Sequence, residues 1–180
     1  MVQKKILSPI DDETDFYGKN YWFSHQKEDL NQPDIIQRAS QDLPERCLHW
    51  LHAFMKYKLP PARVLELGCA HGGFVAILRW AGYDAIGLEV SPWVVDFARR
   101  TFDVPVLLGP IEHQSLETGT LDGIAMMDVL EHLPDPMETM RFCLKLLKPD
   151  GFLLIQTPKY PEAKTYEEMV TQNDHFLKLL

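Results

Sequence analysis

Three stretches of this chain gather side chains able to do chemistry. The first is Val64-Leu65-Glu66-Leu67-Gly68-Cys69-Ala70-His71-Gly72-Gly73-Phe74, an apolar run that breaks into a loop of small residues. Glycines there let the backbone approach a ligand that a Cβ would keep away. Glu66 sits two residues before Gly68. A carboxylate at that mouth would repel a pyrophosphate and attract an ammonium or a sulfonium. The second is Glu89, about twenty residues beyond the loop, where an acidic side chain can accept hydrogen bonds from both ribose hydroxyls. The third is Asp128-Val129-Leu130-Glu131-His132. The His132 imidazole can take a proton from a substrate hydroxyl. Alternatively, Glu131 and His132 orient their loop and cap the next helix. D-x-x-E-H also places three candidate metal ligands within one turn, but no fourth stands nearby, and no metal is assigned. Cys47, His49 and His52 match no common zinc spacing and read as ordinary residues of an amphipathic helix.

These residues need elements to position them. From Asp34, the apolar residues Ile35, Ile36, Ala39 and Leu43 come at helical spacing. Pro44 suits the first turn of a second helix, which would bury Leu48, Leu51, Phe54 and Met55 and stop at Pro60-Pro61. Strand–helix alternation follows. Strands are predicted at 63–67, 84–89, 104–108, 123–127 and 152–155. Helices are predicted at 74–81, closed by Gly82, at 92–102 after the Ser91 cap, and at 136–147. Pro149-Asp150-Gly151 reads as a turn and 166–180 as a helix. Short buried strands alternating with helices imply an α/β fold, a parallel sheet of about five strands covered on both faces. The glycine loop falls where the first strand meets its helix, the place at which open α/β sheets bind ligands.

In order, ELGCAHGGF, GLEVSPWVVDFA, LDGIAMMDVLEHLPDP and LKPDGFLLIQTP resemble the motifs of class I S-adenosylmethionine-dependent methyltransferases. The likeness covers residues 62–158 and is greatest to the group with ubiquinone-biosynthesis O-methyltransferases and sugar and secondary-metabolite methyltransferases. It implies a Rossmann-like fold, S-adenosylmethionine as cofactor and S-adenosylhomocysteine as product. It implies that Glu66, Gly68, Cys69, Ala70 and Gly72 line the methionine part, and that Glu89 with Val90 holds the ribose. Gly109-Pro110-Ile111-Glu112 would border the adenine, and Met127-Asp128 would reach the methionine amino group. Ala70 stands where the usual loop has its middle glycine. Pro110 stands where many relatives carry an Asp, which leaves the adenine amine to Glu112 or a backbone carbonyl.

On this reading the chain moves a methyl group to an oxygen or nitrogen of a small-molecule acceptor, with His132 as the candidate base. Two rivals remain open at this stage: an NAD-dependent oxidoreductase, and a non-catalytic methyltransferase-like subunit. The net charge of −8 argues against a nucleic-acid partner, which would require basic residues. Three scattered cysteines suit a reducing compartment. No apolar run approaches the ~20 residues of a membrane span, so a cytoplasmic protein is expected. Residues 1–60 read as a helical or lid segment in which Tyr17, Tyr21 and Trp22 either cover the cofactor or pack on the sheet. Residues 61–158 form the cofactor-binding core, and 159–180 a helical tail. The terminal antiparallel strand pair usual in the resembled group is missing from this pattern. A fifth strand at the sheet edge would then need covering by the tail, a homodimer partner or sequence beyond this chain, and truncation is the expectation.

Overall fold

The computed structural model describes residues 17–29 and 31–158, and all of these but Pro158 belong to one compact unit, Glu13–Thr157. The tail expected to be helical lies outside the described residues.

Five parallel strands form one sheet: β1 (Arg63–Leu67), β2 (Asp84–Glu89), β3 (Val106–Leu108), β4 (Leu121–Met127) and β5 (Leu147–Gln156), in the order β3-β2-β1-β4-β5. Among the described residues, five α-helices accompany them: α1 (Ile35–Gln41), α2 (Leu48–Met55), α3 (Gly73–Trp80), α4 (Pro92–Phe102) and α5 (Pro136–Leu146). Three of the helix starts have a capping side chain. Asp34 and Gln37 cap α1 reciprocally, the Ser91 hydroxyl accepts from Val94 N–H above Pro92, and Asp135 accepts from Glu138 N–H. Gly82, at φ 97°, lies just past α3 as expected.

Side chains alternate across the sheet with the period of two that strands impose. Val64, Ala125 and Met127 join Trp50, Phe54, Phe74 and Val75 in a core under α2 and α3. Leu65, Leu67, Ile124 and Met126 face the other way, onto Cys143 and Leu146 of α5. Phe54 packs closely on β4 because Gly123 has no Cβ there; one would stand 2.6 Å from the Phe54 Cζ. The alternation also assigns Glu66 to the same face as Val64, inside the first apolar layer.

Four expectations need correction. Leu48 and Met55 are exposed, and Trp50 takes the buried position, because the chain enters α2 through a π-helical turn, Leu43–Cys47, that rotates the face. β3 begins at Val106 rather than 104, since Pro105 has no N–H to give and contributes only its carbonyl, to Gly87. β4 begins earlier than expected, at Leu121. The Pro149-Asp150-Gly151 turn is a bulge within β5: Leu147 pairs with Leu121 and Phe152 with Gly123, so four residues stand opposite one.

Candidate functional site

The strand order reverses between β1 and β4, because the chain runs outward through β2 and β3 and then returns to the other side of β1. The crevice beyond the carboxyl ends of those two strands is where such sheets bind ligands. β1 delivers Glu66 and Gly68 to it, and β4 delivers Met127 and Asp128.

A cavity of about 40 Å³ opens there, lined by Glu66, Gly68, Ala70 and Met127 from the sheet ends and by Arg38, Asp42, Arg46 and Trp50 from the helices before them. Its size is on the scale of a small charged head group. Glu66 is 4% exposed, and its Oε2 is one of two buried side-chain polar atoms without a partner among the described residues; the other is Trp22 Nε1. Burial pushes the Glu66 carboxyl well above the usual carboxylate range and nearby Glu89 adds to this, against one backbone hydrogen bond from Val75. A buried acceptor left unmatched is costly, and a cation in the cavity would match it.

The loop after β1 fits close approach. Gly68, at φ 68°, lies so near Val129 that a Cβ would stand 2.5 Å from a methyl carbon. Glu89 is buried, and its carboxylate accepts from the backbone N–H groups of Ala70 (3.1 Å), Val90 (2.8 Å) and Ser91 (3.1 Å). Burial still carries it above its ordinary value, against those three bonds. Glu89 thereby ties the end of β2 to the glycine loop.

Asp128 has φ 58°, a left-handed conformation uncommon outside glycine. Its two carboxylate oxygens are engaged by Arg46 and by Gln156 Nε2 (3.1 Å), while Gln156 Oε1 accepts from Trp50 Nε1 at 2.7 Å. The Arg46 guanidinium lies 4.9 Å over the Trp50 ring, which closes a ring of four residues. Sequence reasoning missed Arg38, Arg46, Trp50 and Gln156. The i, i+4 pair Arg38–Asp42 was readable, but its place at the crevice was not.

The remaining sequence candidates lie apart from the cavity. Ile111 is buried in the core on the α5 side, and Glu112 accepts from Thr139 Oγ1 at 2.7 Å. His132 is exposed in a 3-10 turn, with the Tyr17 ring 6.3 Å away, edge-on. Tyr17, Tyr21 and Trp22 form an edge-to-face series, and Trp22 packs with Ile35, Val94 and Ala70. Cys47 is buried while His49 and His52 are exposed. Among the described residues no helix is long and apolar enough to cross a membrane.

A family model for a methyltransferase domain matches residues 39–178. A ubiquinone biosynthesis O-methyltransferase of Xanthomonas campestris is 31% identical over 128 residues, covering 64% of this chain and 54% of that protein. The chain therefore spans about half the length of that relative. A SAM-dependent methyltransferase from Archaeoglobus fulgidus matches with a TM-score of 0.55 at 27% identity, over 62% of this chain and 51% of its own. The PH0226 protein of Pyrococcus horikoshii matches with a TM-score of 0.56 at 28% identity, over 64% and 59%.

Proposed function

This chain belongs to the class I S-adenosylmethionine-dependent methyltransferases, and we propose that it binds S-adenosylmethionine at the ends of β1 and β4 and moves its methyl group to a small-molecule oxygen or nitrogen. The observation that carries this reading is the charge pattern of the cavity. An amino-acid head group is a zwitterion, and the cavity offers it a buried, unpartnered carboxylate oxygen on Glu66 and a guanidinium on Arg46. A dinucleotide pyrophosphate would bring no cation to draw out the ionised form of Glu66 and would meet that form as a like charge. That disfavours the oxidoreductase reading.

In this reading Glu66 holds the ammonium of the methionine part and Arg46 its carboxylate, with Asp128 setting the guanidinium in place. Gly68, Cys69, Ala70, Gly72 and Met127 provide backbone walls close to the ligand. Glu89 and Val90 take the ribose, with Ile111 and Glu112 toward the adenine. When bound, the cofactor supplies a methyl group made electrophilic by its sulfonium. The protein's part is to align the acceptor and keep water out. The Tyr17–Asp29 side bounds the acceptor space, and a ring nitrogen of His132 takes the acceptor's proton.

Transfer of labelled methyl to a panel of hydroxyl and amine acceptors tests the activity. His132→Ala should lower turnover about 10²–10⁴-fold on a hydroxyl acceptor while S-adenosylhomocysteine affinity holds. Loss of affinity in step with turnover would remove His132 from the role of base. Cofactor binding without transfer to any acceptor would favour the non-catalytic reading.

A further inference from the structure

We propose that His71 and Asp42 form a positioning pair that holds the cofactor loop in its ligand-binding form, with the His71 imidazole required neutral and protonated on Nε2. The inference rests on the cofactor reading above but stands on geometry of its own. The loop keeps Ala70 at φ 44° and Gly72 at φ 80°, the first of which is strained for a residue with a Cβ. Gly72 is also the N-cap of α3 and has no side chain to offer the unpaired N–H groups of the first turn.

His71 supplies what Gly72 lacks. His71 is 6% exposed and its ring folds back on its own loop, so that Gly73 N–H donates to Nδ1 at 3.0 Å. The fold-back depends on Gly73: a Cβ there would stand 2.6 Å from Cε1 and 2.8 Å from Nδ1. A ring nitrogen that accepts carries no proton, so the neutral ring bears its hydrogen on Nε2. Nε2 in turn donates to Asp42 Oδ2 at 3.2 Å. Asp42, the C-cap of α1, is gripped by Arg38 at 3.1 Å and faced by Arg46 at 3.7 Å. Burial raises the Asp42 carboxyl, but His71 and the two arginines outweigh this and leave it below its ordinary value. Phe102 of α4 closes the ring's other side at 6.2 Å. A connected path therefore runs from α1 through Asp42 and His71 to the first N–H of α3.

A second proton on His71 would set Nδ1–H against Gly73 N–H, donor against donor. The groups that bear on the ring are Asp42 with Arg38 and Arg46 behind it, Gly73 N–H from α3, and Glu66 of β1 across the shared cavity. Asp42 favours the cation and would keep the ring, so Gly73 and the loop are what let go.

The test uses the whole chain, S-adenosylhomocysteine as probe, and two variants. His71→Asn keeps a carbonyl able to accept from Gly73 N–H, whereas His71→Leu keeps no acceptor. At about pH 8, His71→Leu should bind about tenfold more weakly and His71→Asn within about threefold of the parent, the scale of one hydrogen bond. Imidazole nitrogen NMR of the ligand-free parent should show Nε2 protonated and Nδ1 bare, with the Gly73 amide exchanging more slowly than in His71→Leu. The opposite tautomer, or unchanged affinity in His71→Leu, would overturn the pairing. Should His71→Leu fail to fold, the tautomer and the affinity of His71→Asn decide. Absence of binding by the parent would sink the cofactor reading instead, and the tautomer and Gly73 exchange would still judge the pair.

Discussion

Glu66 is a carboxylate in an apolar layer, and its protonation is linked to folding. Its folded pKa is raised above the ordinary 4.5. The neutral form is therefore the one the ligand-free fold favours. That contribution is complete below about 4.5 and is lost as pH rises through the raised value. Glu66→Gln keeps the shape and removes the charge. Ligand-free thermal melts should show the variant gaining on the parent as pH rises from 5 to 8, by about 1–3 kcal/mol at the upper end. A gap that shrinks with pH would contradict the account. Glu66 was legible in the sequence because it stands at a fixed distance from the glycines, and spacing along one strand and loop survives folding unchanged. Arg46 was not. Its partner Asp128 is 82 residues away, and Trp50 and Gln156 are 106 apart. Nothing local in either segment signals that the sheet order will bring them together.

Elements whose ends are set by adjacent residues were readable to the residue. β2 spans Asp84–Glu89 and α4 spans Pro92–Phe102 because Ser91 and Pro92 fix the junction between them. Elements whose ends depend on pairing were not: β3 shortens where Pro105 cannot donate, and β5 bulges to stay in register with β4. The entry to α2 was missed because Cys47 N–H bonds back five residues to the Asp42 carbonyl, which turns the helix away from the face its periodicity suggests. The loop between β1 and α3 can be tested as an element through two glycines. Gly68 and Gly119 have nearly the same φ, 68° and 66°, but a Cβ on Gly119 meets nothing within 4 Å. Gly119→Ala should cost about 1 kcal/mol of stability from backbone conformation alone. Gly68→Ala should cost about 1–3 kcal/mol more and weaken S-adenosylhomocysteine binding, because Val129 must move. Equal losses in denaturant melts of the two variants would show that close approach to Val129 is not what Gly68 provides.

Across the whole sheet, the buried ion cluster around Asp122 and the proposed cofactor cavity lie at opposite ends. At the end away from the crevice, Asp122 accepts from Arg63 N–H (2.8 Å) and Lys148 Nζ (2.8 Å) and faces Lys58 at 3.4 Å, joining the starts of β1, β4 and β5. Burial raises the Asp122 carboxyl, but these partners outweigh it and its pKa lies below the ordinary 3.8. Its contribution is present above 3.8 and is lost as pH falls through the lowered value. Asp122→Asn should lower stability by about 1–3 kcal/mol at neutral pH and leave S-adenosylhomocysteine affinity within about twofold. A large loss of affinity in calorimetry would mean that the two ends are coupled. The parallel sheet, its flanking helices and the position of the glycine loop were legible because strand–helix alternation admits few topologies. The charge pattern of the cavity was not, since four of its eleven lining residues, Arg38, Asp42, Arg46 and Trp50, come from a segment whose pattern says only amphipathic helix. The most direct measurement is calorimetric titration of the chain with S-adenosylhomocysteine and, separately, with NAD, repeated on Arg46→Met. The account predicts one site for S-adenosylhomocysteine, no heat with NAD, and about ten- to a hundredfold weaker binding in Arg46→Met, as expected for a lost charge-assisted hydrogen bond. NAD binding in place of S-adenosylhomocysteine, or an Arg46→Met variant that binds like the parent, would contradict it.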